Sequence, residues 1–425
     1  MPRTSLSAFL ATARQALHAT QTANSSMLTF VVGNEAADLD SLCSALVLAY
    51  LRTAVHNSAG LHIPLANLPR ADLALRPELR VVLGRAGLAP DDLLTLDDLP
   101  AAAHLPPART RWLLVDHNAL TGPLAARGFA ARVVGCVDHH DDEGAVPPAQ
   151  QGWPRVIETC GSCASLVVRE CRAAWEEAAS RARADDDDDD DVDRALAYVA
   201  LGPVLADTLA LGARDKTTET DAWAVAFLEG LLGTRARPSD HDRAGYLASI
   251  SRLQRDLAGL RPRDVLRKDY KRWTEAGLHL GVSAAARGLD ELAAAAGGRA
   301  ALLRAVRAWA AEQGLDVVAV MTAAVRADGG LARELLLWGL RGGGVAAAER
   351  FAAEQVVRLG LEPYGHGALD RDPNGDGDGD GDGDGHGCEE WRRCWTQRRV
   401  ENSRKQMAPL LRAAMRDVGA TRKPC

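Results

Sequence analysis

Aromatic residues make up only 4% of the 425-residue chain, and the acidic turns described below have no aromatic cluster beside them. Proteins that hold single-stranded nucleic acid stack its bases on aromatic platforms, so this scarcity argues against a nucleic-acid partner. No stretch of 18 apolar residues is free of charge, which excludes a transmembrane helix as far as hydropathy can. Cysteine is present, but apart from Cys160 and Cys163 no pair stands at zinc-site spacing, and a structural zinc is not expected. Cys43, Cys136 and Cys171 lie in apolar runs and read as small buried hydrophobes of a reducing compartment. No acid precedes Glu35, and with Arg3 and Arg14 this resembles a mitochondrial transit peptide. Leu6, Phe9, Leu10, Ala13 and Leu17 follow helical spacing, however, and an ordinary first helix accounts for them. A cytoplasmic protein is therefore expected, with mitochondrial import as the lesser alternative.

The net charge of -7 is concentrated in two low-complexity inserts. Asp185 to Asp191 supply seven aspartates, and five more alternate with glycine from Asp376 to Asp384; without those twelve the remainder carries +5. A mildly basic body suits a polyanionic substrate. Both inserts lack apolar residues and read as solvated loops. Asp378 to Glu389 also satisfies a calcium-loop pattern, but an alternating Gly-Asp repeat generates that match without an EF-hand.

The length suits two domains. An apolar strand (Leu28 to Val32), a polar turn and a long apolar helix from about Ser41 to Ala54 form a βα unit. Further short apolar runs, Trp112 to Val115 and Val133 to Val137, end in acidic or histidine-bearing turns. Helical periodicity covers Ala164 to Ala179, Val192 to Leu211 and Thr218 to Leu232, with the aspartate run as a loop between the first two. A second αβ pattern follows: strand Leu278 to Ser283, helix Asp290 to Ala311, and strands Leu315 to Thr322 and Leu331 to Leu340. Alternating strands and helices predict a parallel sheet with ligands at the carboxyl ends of its strands. The expected domains are 1–240, carrying the insert 185–191, and 241–425, carrying the Gly/Asp insert 373–387.

Four motifs fall at those ends or in an apolar helix: Gly33-Asn-Glu-Ala-Ala-Asp38-Leu-Asp40-Ser41, Val115-Asp116-His-Asn118, Val137-Asp138-His139-His140 and Leu205-Ala-Asp207-Thr208. One aspartate at a strand end often only caps the next helix. Four such sites on one sheet edge would repel unless cations neutralise them, and carboxylates with an imidazole suit Mg²⁺ or Mn²⁺. Two such ions about 4 Å apart can share a water, lower its pKa and hold a phosphoryl group for in-line attack.

In this order the four motifs resemble those of the DHH phosphoesterases. Leu266-Arg-Lys-Asp-Tyr-Lys271-Arg-Trp273 and Glu401-Asn-Ser-Arg404-Lys405-Gln406 are similar to signatures of the second type of DHH-associated domain, found in manganese pyrophosphatases, exopolyphosphatases and prune proteins. The resemblance implies an α/β fold: a parallel-sheet DHH domain with helices on both faces, a smaller C-terminal α/β DHH-associated domain, and an active site in the cleft between them. It implies two divalent cations, Mn²⁺ or Mg²⁺, held by Asp38, Asp40, Asp116, His139 and Asp207, with Asp116 and Asp207 reaching both. His140 would face the substrate phosphate, while His117 and Asp138 would orient their neighbours. Lys271, Arg404 and Lys405 would hold substrate phosphates, the last two at the start of an apolar-periodic helix (Met407, Leu410, Leu411, Met415). Catalysis would rest on Asp116, His140, Asp207 and Arg404.

Asn34 stands where pyrophosphatases of this type place a histidine; an amide is a weak metal ligand, so the first metal would be exchangeable. His140 is intact where prune proteins usually carry arginine. The resemblance thus points to a monomeric exopolyphosphatase acting on inorganic polyphosphate. The alternatives are an inorganic pyrophosphatase or nucleotide phosphodiesterase of the same superfamily, and a prune-like protein acting through protein interactions.

Overall fold

The computed structural model describes residues 4–19, 27–55, 60–182, 188–233, 241–256, 259–326, 330–372 and 390–421. The chain forms two compact units, residues 1–256 and 257–425. In unit 1 the elements run α1 (Leu6–Ala19), β1 (Leu28–Val32), α2 (Leu39–Val55), β2 (His62–Leu65), α3 (Leu79–Arg85), β3 (Thr110–Val115) and α4 (Gly122–Ala126). They continue with β4 (Val133–Asp138), β5 (Arg155–Ile157), α5 (Cys163–Ala182), α6 (Asp188–Thr208), α7 (Glu219–Gly233) and α8 (Arg243–Gln254).

The five strands pair in parallel in the order β2-β1-β3-β4-β5. β1 is buried along its whole length, as a parallel strand covered on both faces must be. The strand order reverses direction between β1 and β3, and in such sheets ligands bind in the crevice beyond that switch point. Fully buried Trp112 on β3 stacks on Phe30 of β1 at 4.5 Å, locking together the two strands that flank the switch point, and packs at a tilt against Phe129 at 4.7 Å. α1 packs as its spacing predicts, with Leu6, Phe9, Leu10, Ala13 and Leu17 all buried.

Two expectations are corrected here. α6 begins at Asp188, so the last four aspartates of the 185–191 run belong to its backbone and not to a loop; Asp185 to Asp187 lie outside the described residues. The helix also stops at Thr208, three residues before the apolar pattern does, because Leu209, Ala210 and Leu211 all adopt positive φ (51°, 55° and 73°).

Unit 2 comprises α9 (Pro262–Lys268), β6 (Tyr270–Glu275), β7 (Leu278–Ala285), α10 (Leu289–Ala296), α11 (Arg299–Glu312), β8 (Val317–Thr322), β9 (Ala324–Val325) and β10 (Leu331–Gly339). It is completed by α12 (Gly342–Leu359), β11 (Leu361–Pro363), β12 (Trp391–Gln397) and α13 (Arg404–Thr421). Its mixed sheet runs β11-β12-β10-β8-β7-β6, with β7 and β8 parallel and the other pairs antiparallel. Period-two alternation sends Val317, Ala319 and Met321 to a core shared with α12 and α13, and Val318 and Val320 to one shared with α9, α10 and α11. The helix expected over Asp290 to Ala311 is two helices, since Gly297 (φ 91°) and Gly298 (φ 120°) break it. The Gly/Asp insert lies outside the described residues. Among the described residues no helix is long and apolar enough to cross a membrane.

Removing the Trp112 ring should cost about 3–5 kcal/mol, the range for emptying a buried aromatic site. Urea denaturation of Trp112→Ala, with the same slope and a lower midpoint, checks this.

Candidate metal centre

The residues singled out by their motifs fall at the carboxyl ends of β1, β3 and β4 and at the end of α6. Asp38 caps α2, accepting the Ser41 amide at 3.0 Å, and Asp40 lies in that helix's first turn. Asp116 follows β3 directly with φ +60°, a left-handed conformation that a non-glycine residue adopts only under constraint. The constraint is visible. Asn34 Nδ2 donates to the Asp116 carbonyl (3.1 Å) and to its Oδ2 (2.7 Å), and Ser41 Oγ donates to the same Oδ2 at 2.6 Å. Asp116 Oδ1 is thereby turned toward the imidazoles.

His139 Nδ1–H donates to the Cys160 carbonyl at 3.0 Å, which leaves the Nε2 lone pair facing Asp116 Oδ1 at 3.1 Å and Asp40 Oδ2 at 3.9 Å. His140 Nδ1 lies 2.8 Å from Asp138 Oδ1 and 3.7 Å from Asp116 Oδ1. Asp138 is fully buried and orients this pair: its Oδ1 also accepts the amides of His139 (2.8 Å) and His140 (3.2 Å), and its Oδ2 accepts Asn118 Nδ2 at 2.6 Å. Burial alone would raise the Asp138 carboxyl, but the His140 hydrogen bond and charge hold it below the usual range. Asp40 behaves in the opposite way. Burial first, then the charges of Asp116 and Asp207, push its carboxyl well above the ordinary range, with Asp38 adding to the effect and His139 opposing it.

These observations test whether a cation fits. Asp116, His139 and His140 bring one ligand atom each within 4.8 Å of one another. With His139 Nδ1 committed to a carbonyl, its Nε2 lone pair and the facing carboxylate oxygens need a positive charge between them. One proton satisfies one such pair, whereas a divalent cation satisfies the imidazole and several carboxylates together. The donors are oxygen and imidazole nitrogen, a set that suits Mg²⁺ or Mn²⁺. The C-x-x-C thiols are otherwise engaged: Cys160 Sγ donates to Asp221 Oδ1 (3.1 Å) and Cys163 Sγ to the Val137 carbonyl (3.2 Å). Burial pushes the Cys160 thiol up to about 11, far from the thiolate a zinc site uses.

Asn34, whose role the motifs left open, holds Asp116 through its side-chain nitrogen while its Oδ1 accepts the Ala36 amide at 2.9 Å. His117 Nδ1 turns back to the Val115 carbonyl at 2.9 Å, consistent with a role in shaping the turn. Motif reading missed Arg76. Its buried guanidinium donates to the carbonyls of Ala36 and Ala37 (Nε to Ala37 O, 2.9 Å) and so clamps the loop that carries Asp38, in which Ala37 has φ +45°. An arginine forty positions away in an apolar stretch offers no sequence signal for this.

In unit 2 the start of α13 lies beside the start of β6. Arg404 donates to the Asp269 carbonyl at 3.1 Å and pairs with its carboxylate at 2.7 Å, and Lys271 stands two residues further along the strand. Ser403 opens α13: its Oγ accepts the Lys405 amide at 3.3 Å while Gln406 accepts the Ser403 amide at 2.9 Å. Arg404 is held in place, not a loose solvent-facing charge.

Comparison with known proteins gives a consistent result. A model of the DHH family N-terminal domain matches residues 29–202, and a DHHA2 domain model matches residues 248–414. A candidate exopolyphosphatase of Schizosaccharomyces pombe is 30% identical over 407 residues, covering 95% of this chain and 95% of that protein. The exopolyphosphatase PRUNE1 of Rattus norvegicus is 28% identical over 69% of this chain, which spans 59% of that protein's length. Among solved structures, a candidate family II inorganic pyrophosphatase of Methanococcus jannaschii shares the fold, with a TM-score of 0.57 at 17% identity over 91% of this chain and 99% of that one. The chain therefore belongs to the DHH family of phosphoesterases, as a member that joins an N-terminal DHH domain to a DHHA2 domain.

Proposed function

We propose that this phosphoesterase is an exopolyphosphatase, hydrolysing the terminal phosphoanhydride bond of inorganic polyphosphate to release orthophosphate. The observation that carries the reading is the carboxylate–imidazole centre at the switch point, in a chain that matches a candidate exopolyphosphatase over 95% of both lengths. As part of the same reading the protein acts as a monomer in the cytoplasm.

Asp38, Asp40, Asp116, His139 and Asp207 hold two divalent cations, Mn²⁺ or Mg²⁺. Such ions, when bound, activate water and offset charge on phosphoryl oxygens. The rest falls to the chain. Asn34 and Ser41 fix one Asp116 oxygen so that the other faces the centre, and the Cys160 carbonyl fixes the His139 tautomer. His140, anchored through Nδ1 to Asp138, meets the substrate phosphate. Lys271, Arg404 and Lys405 bind the non-bridging oxygens of the substrate, with Asp269 preorganising Arg404. Guanidinium and phosphate geometries match, and such a contact strengthens as charge develops in the transition state.

The fold shared with a pyrophosphatase favours a second reading, hydrolysis of pyrophosphate. A phosphate-release panel separates them: long polyphosphate, tripolyphosphate, pyrophosphate and a dinucleotide, each with and without Mn²⁺ or Mg²⁺. The expected outcome is turnover of polyphosphate only with divalent metal, and its abolition by Asp40→Ala, Asp116→Ala or Asp207→Ala. Full activity in chelator would overturn the metal reading, and preference for pyrophosphate the substrate reading.

Asn34→Ala removes a buried hydrogen bond to a carboxylate, so folding stability should fall by about 1.5–3 kcal/mol in urea denaturation, and turnover should fall with it as Asp116 loses its orientation. Arg404→Ala in folded, metal-replete protein should lower kcat by roughly 10³-fold, by analogy with arginines in phosphoryl transfer. Unchanged kcat and KM on polyphosphate would remove the C-terminal unit from the mechanism.

A further inference from the structure

The turn Cys160–Ala164, which leads into α5, touches two of the proposed ligands at once. The Cys160 carbonyl accepts His139 Nδ1–H at 3.0 Å. Asp40 is gripped by the same turn, Oδ2 by the Cys163 amide (2.7 Å) and Oδ1 by the Ala164 amide (2.9 Å) and Ser162 Oγ (2.9 Å). Two amides at the start of a twenty-residue helix thus aim at one carboxylate. The position of this turn therefore decides both where Asp40 points and which His139 nitrogen carries the lone pair.

The turn is in turn held by Asp221, a fully buried residue of α7 that no motif singled out. Asp221 and Thr218 form a capping box for that helix: the Thr218 amide and Oγ1 each donate to Oδ2 at 2.8 Å. Capping alone would stop there. Four further donors come from the turn and the first residues of α5: the Gly161 amide (2.9 Å), the Ser162 amide (3.2 Å), Cys160 Sγ (3.1 Å) and Ser165 Oγ (2.7 Å). Close packing fixes the geometry further. A Cβ at Gly161 would meet Thr208 Cγ2 at 2.7 Å and Asp221 Oδ2 at 2.8 Å, so the turn wedges between Asp221 and the end of α6, one residue past Asp207. Burial by itself would raise the Asp221 carboxyl, but these hydrogen bonds bring it below the usual range, keeping a charged acceptor in place.

We propose that Asp221 is a positioning residue for the metal centre, acting through the Cys160–Ala164 turn to orient Asp40 and the His139 tautomer; the proposal rests on the divalent-cation reading above. Residues one step behind metal ligands commonly change metal affinity by about 10- to 100-fold when altered. In Asp221→Asn the shape is kept, but an NH₂ group replaces one acceptor oxygen and opposes the N–H donors around it, so the turn must shift.

The test uses the full chain and Mn²⁺ alone, with free Mn²⁺ read by electron paramagnetic resonance and folding checked by circular dichroism. Asp221→Asn should remain folded and bind Mn²⁺ at least 10-fold more weakly than the unaltered protein, in the range stated for such residues. A merely structural role would lower the melting temperature and leave the affinity of the folded protein unchanged, which would overturn the proposal. If Asp221→Asn does not fold, Ser165→Ala replaces it, removing one donor to Asp221 without touching the turn. A several-fold weakening of Mn²⁺ binding supports the proposal, and wild-type affinity overturns it. Failure of the unaltered protein itself to bind Mn²⁺ would overturn the cation centre and this inference together, an outcome distinct from equal binding by protein and variant.

Discussion

Carboxylates crowd together out of water at the end of a parallel sheet, and much of unit 1 is arranged to make that tolerable. Asp40, Asp116 and Asp138 are 5%, 2% and 0% exposed, and Asp38 and Asp207 add their charge to the group. Ionised groups so placed lose hydration and repel one another. Three kinds of partner oppose this: amides at the start of α5 on Asp40, side-chain donors Asn34 and Ser41 on Asp116, and the histidine pair on Asp138. Hydrogen bonds and the His140 charge bring the Asp138 carboxyl below its usual range, whereas burial and the neighbouring carboxylates push that of Asp40 well above it. The residual repulsion sits where a divalent cation would relieve it.

The same demand appears in the backbone. Ala37, Asp116 and the run Leu209 to Leu211 occupy left-handed conformations, each costing of order 1–3 kcal/mol when the residue is not glycine. All border proposed ligands. Arg76 holds the carbonyls around Ala37, and Asn34 holds the carbonyl of Asp116. The strain is thus matched by buried hydrogen bonds that would be lost if the loops relaxed, which keeps carboxylates pointed inward against their repulsion.

Unit 2 gathers basic side chains of its own. Its mixed sheet positions β6 beside α13, so Arg404 is pinned by Asp269 and Lys271 projects from the adjoining strand. Membership of the DHH family places both units, the DHH domain and the DHHA2 domain, in one class of phosphoesterases.

Much of this was legible in the chain. β1, β3 and β4 were readable as apolar runs ending in acid, and their residues come together because strands of a parallel sheet end on one side. The α13 start was readable from its polar cluster and apolar period. Other features carried no local signal. The Gly297-Gly298 break hid inside an alanine-rich periodic stretch, and β6 at a sheet edge lacks an apolar run. The part Asn34 plays stayed open because its position, not its hydrogen bonds, was visible. The sequence by itself determined which chemistry could exist, since residue type and motif order specify oxygen and imidazole donors and a phosphoesterase family. Only the tertiary structure decided which atom of each side chain faces the centre. Orientation is set by partners distant in sequence, such as Arg76 on the Asp38 loop and Asp221 on the Cys160 turn, and those pairings exist only once the sheet and its helices have packed.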